Sequence, residues 1–341
     1  LKKRISSFIY QPTVTRDEGH LSPWVTWPTI HRGVTDSKHK ITDINLSSLE
    51  TEKKYPSIWT KLSKKGFKVG VFGSFHSSKI KDFNNYSFVI PDAFSESFKC
   101  KPKSMNGLQR LNNIMSRRSA RIVDSSLPNL FILKDAIISY LKNSYKYRAL
   151  FCTIRQLFIE IFMPWKNVRR RTLQADILFD AFMSSLIREK PDFCTFFTNH
   201  VASSMHRFWE ASFPNDYRAQ INTNEWIKTY KNEIKFSMTS TAYFINELTK
   251  FVDEHKDYEL WVLSSMGQKA VQNYEPEDFF WDISSCKQFL SSLCKEELIV
   301  KENPQMIPHY SITAEPNIIT KIVYRLKEIE SNSKFWLRNS D

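Results

Sequence analysis

Three short apolar runs, residues 67–74, 193–198 and 259–263, constrain the fold more than any other feature of this chain. Each is of strand length, and each stays largely apolar on both alternating faces, so neighbouring elements must cover it above and below. A sheet with one wet face would alternate apolar and polar residues. Runs such as Val69, Val71 and Phe72 read instead as parallel strands between helices. The first run also completes an αβ unit: Ile58, Trp59 and Leu62 stand at helical spacing, Gly66 ends the helix, and the run follows. Further strands are read at Phe88, Val89 and Ile90, which stop at Pro91-Asp92, and at residues 5–10. The expectation is an α/β fold with a mainly parallel sheet flanked by helices, in which the three runs are neighbouring buried strands.

From Leu108 to about Leu186 the pattern turns helical. Residues 108–190 are therefore expected to form a helical excursion from a core built of 1–107 and 191–341. Within it, residues 149–163 are apolar but interrupted by Arg155 and Glu160, which makes a poor membrane span. Pro164, Trp165 and the cluster Arg169, Arg170 and Arg171 follow. Apolar helix, tryptophan and basic cluster fit an interfacial helix, so 149–171 are expected to touch a membrane peripherally, the basic end against anionic lipid. A buried helix whose carboxyl end is capped by cations is the other reading.

A formal charge of +13 predicts attraction to something acidic: nucleic acid, an anionic membrane or a phosphorylated or sulfated substrate. Nucleic acid ranks last, because the arginines gather in one helical region and no recognised nucleic-acid module appears. With seven glycines and neither GxGxxG nor GxxxxGK[ST], glycine-rich phosphate loops are excluded. Five cysteines without a CxxC pair form neither a disulfide framework nor a zinc ribbon, and a reducing compartment fits them. The basic start Leu1-Lys2-Lys3-Arg4 leads into no apolar h-region, so no signal peptide is read. It also lacks an initiator Met, as a chain beginning inside a longer protein would. A cytoplasmic, membrane-peripheral location is expected.

Chemistry-bearing side chains gather in three places. Residues 21–33 pack two tryptophans, three hydroxyls and His31 around Pro23 and Pro28 and end on Arg32-Gly33. The prolines restrict their predecessors to extended geometry, which predicts a loop with a short helix over 28–33. Ser22 and Thr26 are candidate nucleophiles there, His31 a candidate acid or base, and Arg32 a candidate anion contact. The second run delivers Asn199, His200, His206 and Arg207 at its carboxyl end, where open α/β sheets bind ligands. The third empties into Ser264, Ser265, Met266, Gly267 and Gln268, and His309 is a late histidine. The three clusters are expected to converge on one pocket, with His200 and His206 as acid or base and Asn199, Arg207, Ser264, Ser265 and Gln268 holding substrate.

This order of motifs resembles the alkaline phosphatase superfamily, in particular type I phosphodiesterases and nucleotide pyrophosphatases. The matching pieces are Arg32-Gly33 with the turn Ser37-Lys38-His39-Lys40, the segment 199–206, the segment 264–267, and His309. The resemblance implies an alkaline-phosphatase-like fold, a phosphoester or sulfoester hydrolase or transferase, and a divalent metal cofactor with His206 and His309 among its ligands. The substrate it implies is anionic, phosphorylated or sulfated, and linked to a glycan or lipid. The departures are specific. Ala202 stands where the family has the middle Asp, and Ser265-Met266 where it has Asp-His. Counting back from Gly33 puts the nucleophile at Pro23, beside Ser22. The alternative is a retired superfamily member that binds an anionic glycan or lipid without chemistry.

Overall fold

The computed structural model describes residues 6, 8–19, 21–42, 44, 49–77, 80, 82–117, 128–271, 283, 285–303 and 310–332. The chain is α/β, predominantly helical, with a small parallel sheet. Its sheet strands are β1 (Val69–Phe72), β2 (Tyr86–Ile90) and β3 (Phe193–Phe196), in the order β2-β1-β3. Gly70 pairs with Phe88 on one side and with Cys194 on the other, and both strand pairings are parallel.

β1 is buried on both faces, as its continuous apolar character requires. Helix α1 (Pro23–Arg32) precedes the short helices α2 (Asp36–His39), α3 (Leu49–Lys54) and α4 (Ile58–Lys64). On one face of the sheet, Trp59 and Leu62 of α4 pack against Val69, Val71 and Val89. The other face meets the helical middle of the chain: α5 (Asn106–Arg117), α6 (Leu130–Asn143), α7 (Arg148–Phe162) and α8 (Arg170–Glu189). There Phe72 and Phe88 pack on Phe179, Phe182 and Leu186 of α8. After β3 come α9 (His200–Ser212), α10 (Asn224–Tyr230) and α11 (Glu233–Glu254), and Phe244 and Phe251 of α11 complete this core. The last helix of the expected excursion therefore belongs to the sheet's main core, because its Phe and Leu positions supply the cover that β1 and β2 need.

Two expected strands are absent. Residues 259–263 form no strand, and Trp261 is 75% exposed. Their apolar character marks a surface segment with no strand partner. Residues 8–10 of the expected first strand are irregular, with Ile9 99% exposed; residues 5 and 7 lie outside the described residues. Residues 276–341 form a compact unit of their own, apart from the unit of residues 1–275. Helices α12 (Cys286–Cys294) and α13 (Pro316–Asn332) there accompany an antiparallel pair, β4 (Lys301–Asn303) and β5 (Ser311–Thr313). Leu290, Leu298 and Ile322 are among its buried core.

Candidate functional site

The carboxyl ends of the three strands lie side by side, the position at which parallel α/β sheets receive ligands. β1 runs into Gly73, Ser74, Phe75, His76 and Ser77, β2 into Pro91 and Asp92, and β3 into Phe197, Thr198 and Asn199. Gly73 bends the chain with φ 72°, and a Cβ added there would stand 3.4 Å from the Phe197 carbonyl oxygen. Short hydrogen bonds lace the exits together. Ser74 Oγ donates to Thr195 Oγ1 at 2.8 Å, and the Asp92 backbone N–H donates to Ser77 Oγ at 3.1 Å. Asp92 Oδ1 accepts the Phe94 N–H at 3.0 Å, so its carboxylate closes its own turn.

Helix α1 lies across these exits. Trp24 meets Phe75 at 4.8 Å and Phe94 at 5.3 Å between ring centroids, and Trp27 meets Phe197 at 5.3 Å. The helix therefore starts five residues earlier than the proline reading predicts. Pro23 occupies its first position, where a missing N–H costs nothing, and the aromatic contacts hold Pro28 inside it.

The first cluster is consequently structural in its details. The Ser22 carbonyl accepts the Val25 and Thr26 N–H groups, both at 3.0 Å. Thr26, buried, donates its hydroxyl back to the same carbonyl at 3.1 Å. Among the described residues no histidine or carboxylate hydrogen-bonds either hydroxyl. His31 is buried between Trp27, 5.6 Å away, and Trp59, 4.7 Å away. Burial, with the neighbouring His76 and Arg32 charges, pulls it down to about 3, so it stays neutral and is a feeble base. Arg32 turns away from any ligand: its buried guanidinium donates to Glu52 Oε2 at 2.6 Å and to the Tyr55 carbonyl.

The polar chain that does form here runs through Asp17, Thr29 and His39. The Ile41 N–H donates to His39 Nδ1 at 2.9 Å, which in a neutral imidazole leaves the proton on Nε2. His39 Nε2 then donates to Thr29 Oγ1 at 3.0 Å, and Thr29 donates to Asp17 Oδ1 at 2.7 Å. Burial holds His39 below the usual imidazole range. Asp36 closes the arrangement, its carboxylate accepting the Gly19 N–H at 2.8 Å and the Ser37 N–H at 2.8 Å. Burial pushes that carboxyl up, but the backbone N–H groups outweigh it and the net shift is downward. The turn holding Asp36 and His39 is visible in the sequence; Asp17 carries no signal, because only folding brings it to Thr29.

His200, at the start of α9, is buried and fully engaged. Nε2 faces the Ser237 carbonyl at 3.2 Å, so it donates, and Nδ1 accepts the Thr198 hydroxyl at 2.7 Å. Burial pulls it down to about 4 despite the Ser237 carbonyl, and its role is to fix β3's exit against α11. Asn199 precedes it, exposed and making no capping bond. His206 is exposed on α9, and Gln268 reaches it, amide nitrogen to Nε2, at 3.0 Å. This joins the second and third clusters at one point. Ser264 instead closes its own turn, donating to the Met266 carbonyl at 2.8 Å, and among the described residues Ser265 makes no hydrogen bond to the other candidates.

Next to His206, Arg207 is pulled down to about 10 by burial. Burial does the same to Arg171 of α8, also to about 10, with the Arg207 charge adding to the pull. Arg171 donates to neutral groups, Gln174 Oε1 at 2.8 Å and Ser116 Oγ at 3.4 Å. The Arg207 charge of α9 is thus felt at Arg171 of α8.

The implied metal fails on the donor set. Among the described residues no three His, Cys, Asp or Glu side chains converge as a metal ion requires. His200 has both nitrogens committed, His206 has an amide as its neighbour, and Ala202, Ser265 and Met266 supply no carboxylate. His309 lies outside the described residues. These residues do not fit a two-metal cluster. No family model, curated protein or solved structure matches this chain.

Proposed function

We propose that this chain is a member of the alkaline phosphatase superfamily type that binds a phosphorylated or sulfated, glycan- or lipid-linked ligand without the family's metal-assisted chemistry. One observation carries this reading: Gln268 hydrogen-bonds His206 at 3.0 Å, which brings the 264–268 segment onto α9, the helix that starts at the carboxyl end of β3 and also carries Arg207. A planar guanidinium such as that of Arg207 matches phosphate and sulfate oxygens in pairs, and its charge is felt at Arg171 of α8. Asn199 at the head of α9 adds a polar group on the same helix, at the carboxyl end of β3. A small parallel sheet with polar strand exits is compatible with this reading, and the missing carboxylates favour binding over hydrolysis.

Thermal unfolding of the full chain in inorganic phosphate, inorganic sulfate and chloride at matched ionic strength tests the reading. Phosphate or sulfate should raise Tm over chloride, by about 2.7 kcal/mol of stabilisation at a hundred times Kd, and Arg207→Gln should remove the difference. Equal melting in all three anions would defeat it.

A second reading rests on Thr29, whose hydroxyl lies between Asp17 and His39. In that reading Thr29 is the nucleophile of an ester hydrolase or transferase and Asp17 takes its proton. Turnover of phosphate or sulfate esters that disappears in Thr29→Val would establish it over the binding protein.

A further inference from the structure

We infer that α7, with the turn that follows it, is an in-plane docking helix for an anionic lipid surface. The observation is its inverted packing. Gln156 and Glu160 are buried, whereas Phe151, Phe158, Ile161 and Phe162 are 70%, 63%, 69% and 80% exposed. A helix of a water-soluble protein places these residues the other way round.

The rotation is fixed by the polar side. Gln156 donates to Glu160 Oε1 at 3.1 Å and to the Lys166 carbonyl at 2.8 Å. Glu160 accepts from Arg170 at 2.6 Å. Turning the helix to hide its phenylalanines would strand a carboxylate and an amide. The apolar face is therefore held outward by satisfied bonds beneath it. Met163 and Trp165 extend it, 38% and 42% exposed, past the helix end.

The basic cluster does not serve as expected. Arg169 donates two hydrogen bonds to the Glu233 carboxylate, each at 2.7 Å, Arg170 holds Glu160, and Arg171 donates to Gln174. Cations this surface offers are Arg155, exposed within the apolar face, and the half-buried Lys166 beside Trp165. The only acidic residue of the helix, Glu160, is buried and paired. Aromatic and aliphatic side chains with a snorkelling arginine and a flanking lysine match the boundary of an anionic bilayer. At 15 residues the helix lies in that boundary; a span needs about 20. No helix among the described residues is long and apolar enough to cross a membrane. A second copy is the poorer occupant, because a two-fold contact through this face sets like cations against each other with no accessible acid to answer them. This surface shares no residue with the proposed anion site.

Flotation of the full chain with vesicles of phosphatidylcholine alone, or with one third phosphatidylglycerol, tests the assignment. The chain should float with the anionic vesicles and at least tenfold less with the neutral ones. Phe158→Glu with Phe162→Glu should lower anionic binding at least tenfold, with thermal unfolding unchanged because both positions face solvent. Independently of any folding defect, brominated lipid should quench part of the wild-type tryptophan emission, and Trp165→Phe should lose that part. A wild-type chain left in the soluble fraction overturns the assignment. So does a double variant that floats like the wild type, or a concentration-dependent dimer that the double variant abolishes.

Discussion

The Thr29 hydroxyl donates to Asp17 Oδ1 across 2.7 Å, joining helix α1 to the segment before it. His39 reaches the same hydroxyl oxygen at 3.0 Å, so this side chain is donor and acceptor at once. Thr29→Val keeps the shape and removes both partners' bonds. It should destabilise the chain by about 1–3 kcal/mol, the cost of leaving partly buried polar groups unpaired. Urea unfolding checks this, and a change under 0.5 kcal/mol would mean that water replaces the hydroxyl.

The sheet was legible where burial on both faces writes itself as an unbroken apolar run, as in Val69–Phe72; Phe193–Phe196 also forms a strand, but at the sheet's edge it is only half-buried rather than buried as expected. Residues 259–263 carry the same signal and form no strand, because hydrophobicity marks a segment without naming its partner. Helix α1 was hidden by its prolines, whose local restriction is overridden by Trp24 and Trp27 packing on Phe75 and Phe197. Residue types at the strand exits were readable, but their commitments were not. His31, His200 and Arg32 look like chemistry in sequence and are spent on packing and internal bonds. The cluster at Arg169 was visible as charge; its direction depends on Glu233, 64 residues away.

That pairing supplies a second prediction. Arg169 and Glu233 have side-chain exposures of 16% and 4%, so neither charge can recover water if its partner goes. Arg169→Ala should cost about 3–5 kcal/mol, and Arg169→Met with Glu233→Leu should recover much of it. A single variant as stable as the wild type would show the pair to be solvated.

Gly70 in the central strand faces Phe88, and a Cβ there would stand 2.2 Å from the ring. Phe88 is fully buried against α8, so its ring can yield only by disturbing that packing. Gly70→Ala should therefore destabilise by about 1–3 kcal/mol despite alanine's better backbone entropy. Thermal unfolding decides it; a stabilised variant would mean the ring moves without strain.

Stability should fall as the solution is acidified below pH 6.5. Burial pulls His31 to about 3 and His200 to about 4, from an unfolded value of 6.5 for each. Between pH 6.5 and 4 the unfolded chain then binds up to two more protons than the native one, so stability rises with pH through that window. Asp176 acts the other way. Burial pushes it to about 6 from 3.8, so between those values the native state holds one proton more and stability falls as pH rises. His39, also held down by burial, adds to the two histidines, and Asp180, also pushed up by burial, adds to Asp176, so the histidines outnumber the opposing carboxyls and stability rises with pH across the window. Urea midpoints from pH 7 to 4.5 should trace it. Asp176→Asn should steepen the fall by removing an opposing group, and His200→Gln should flatten it by removing one of the histidines. A midpoint that does not change over this range would mean that these imidazoles gain protons in the folded chain as readily as in the unfolded one.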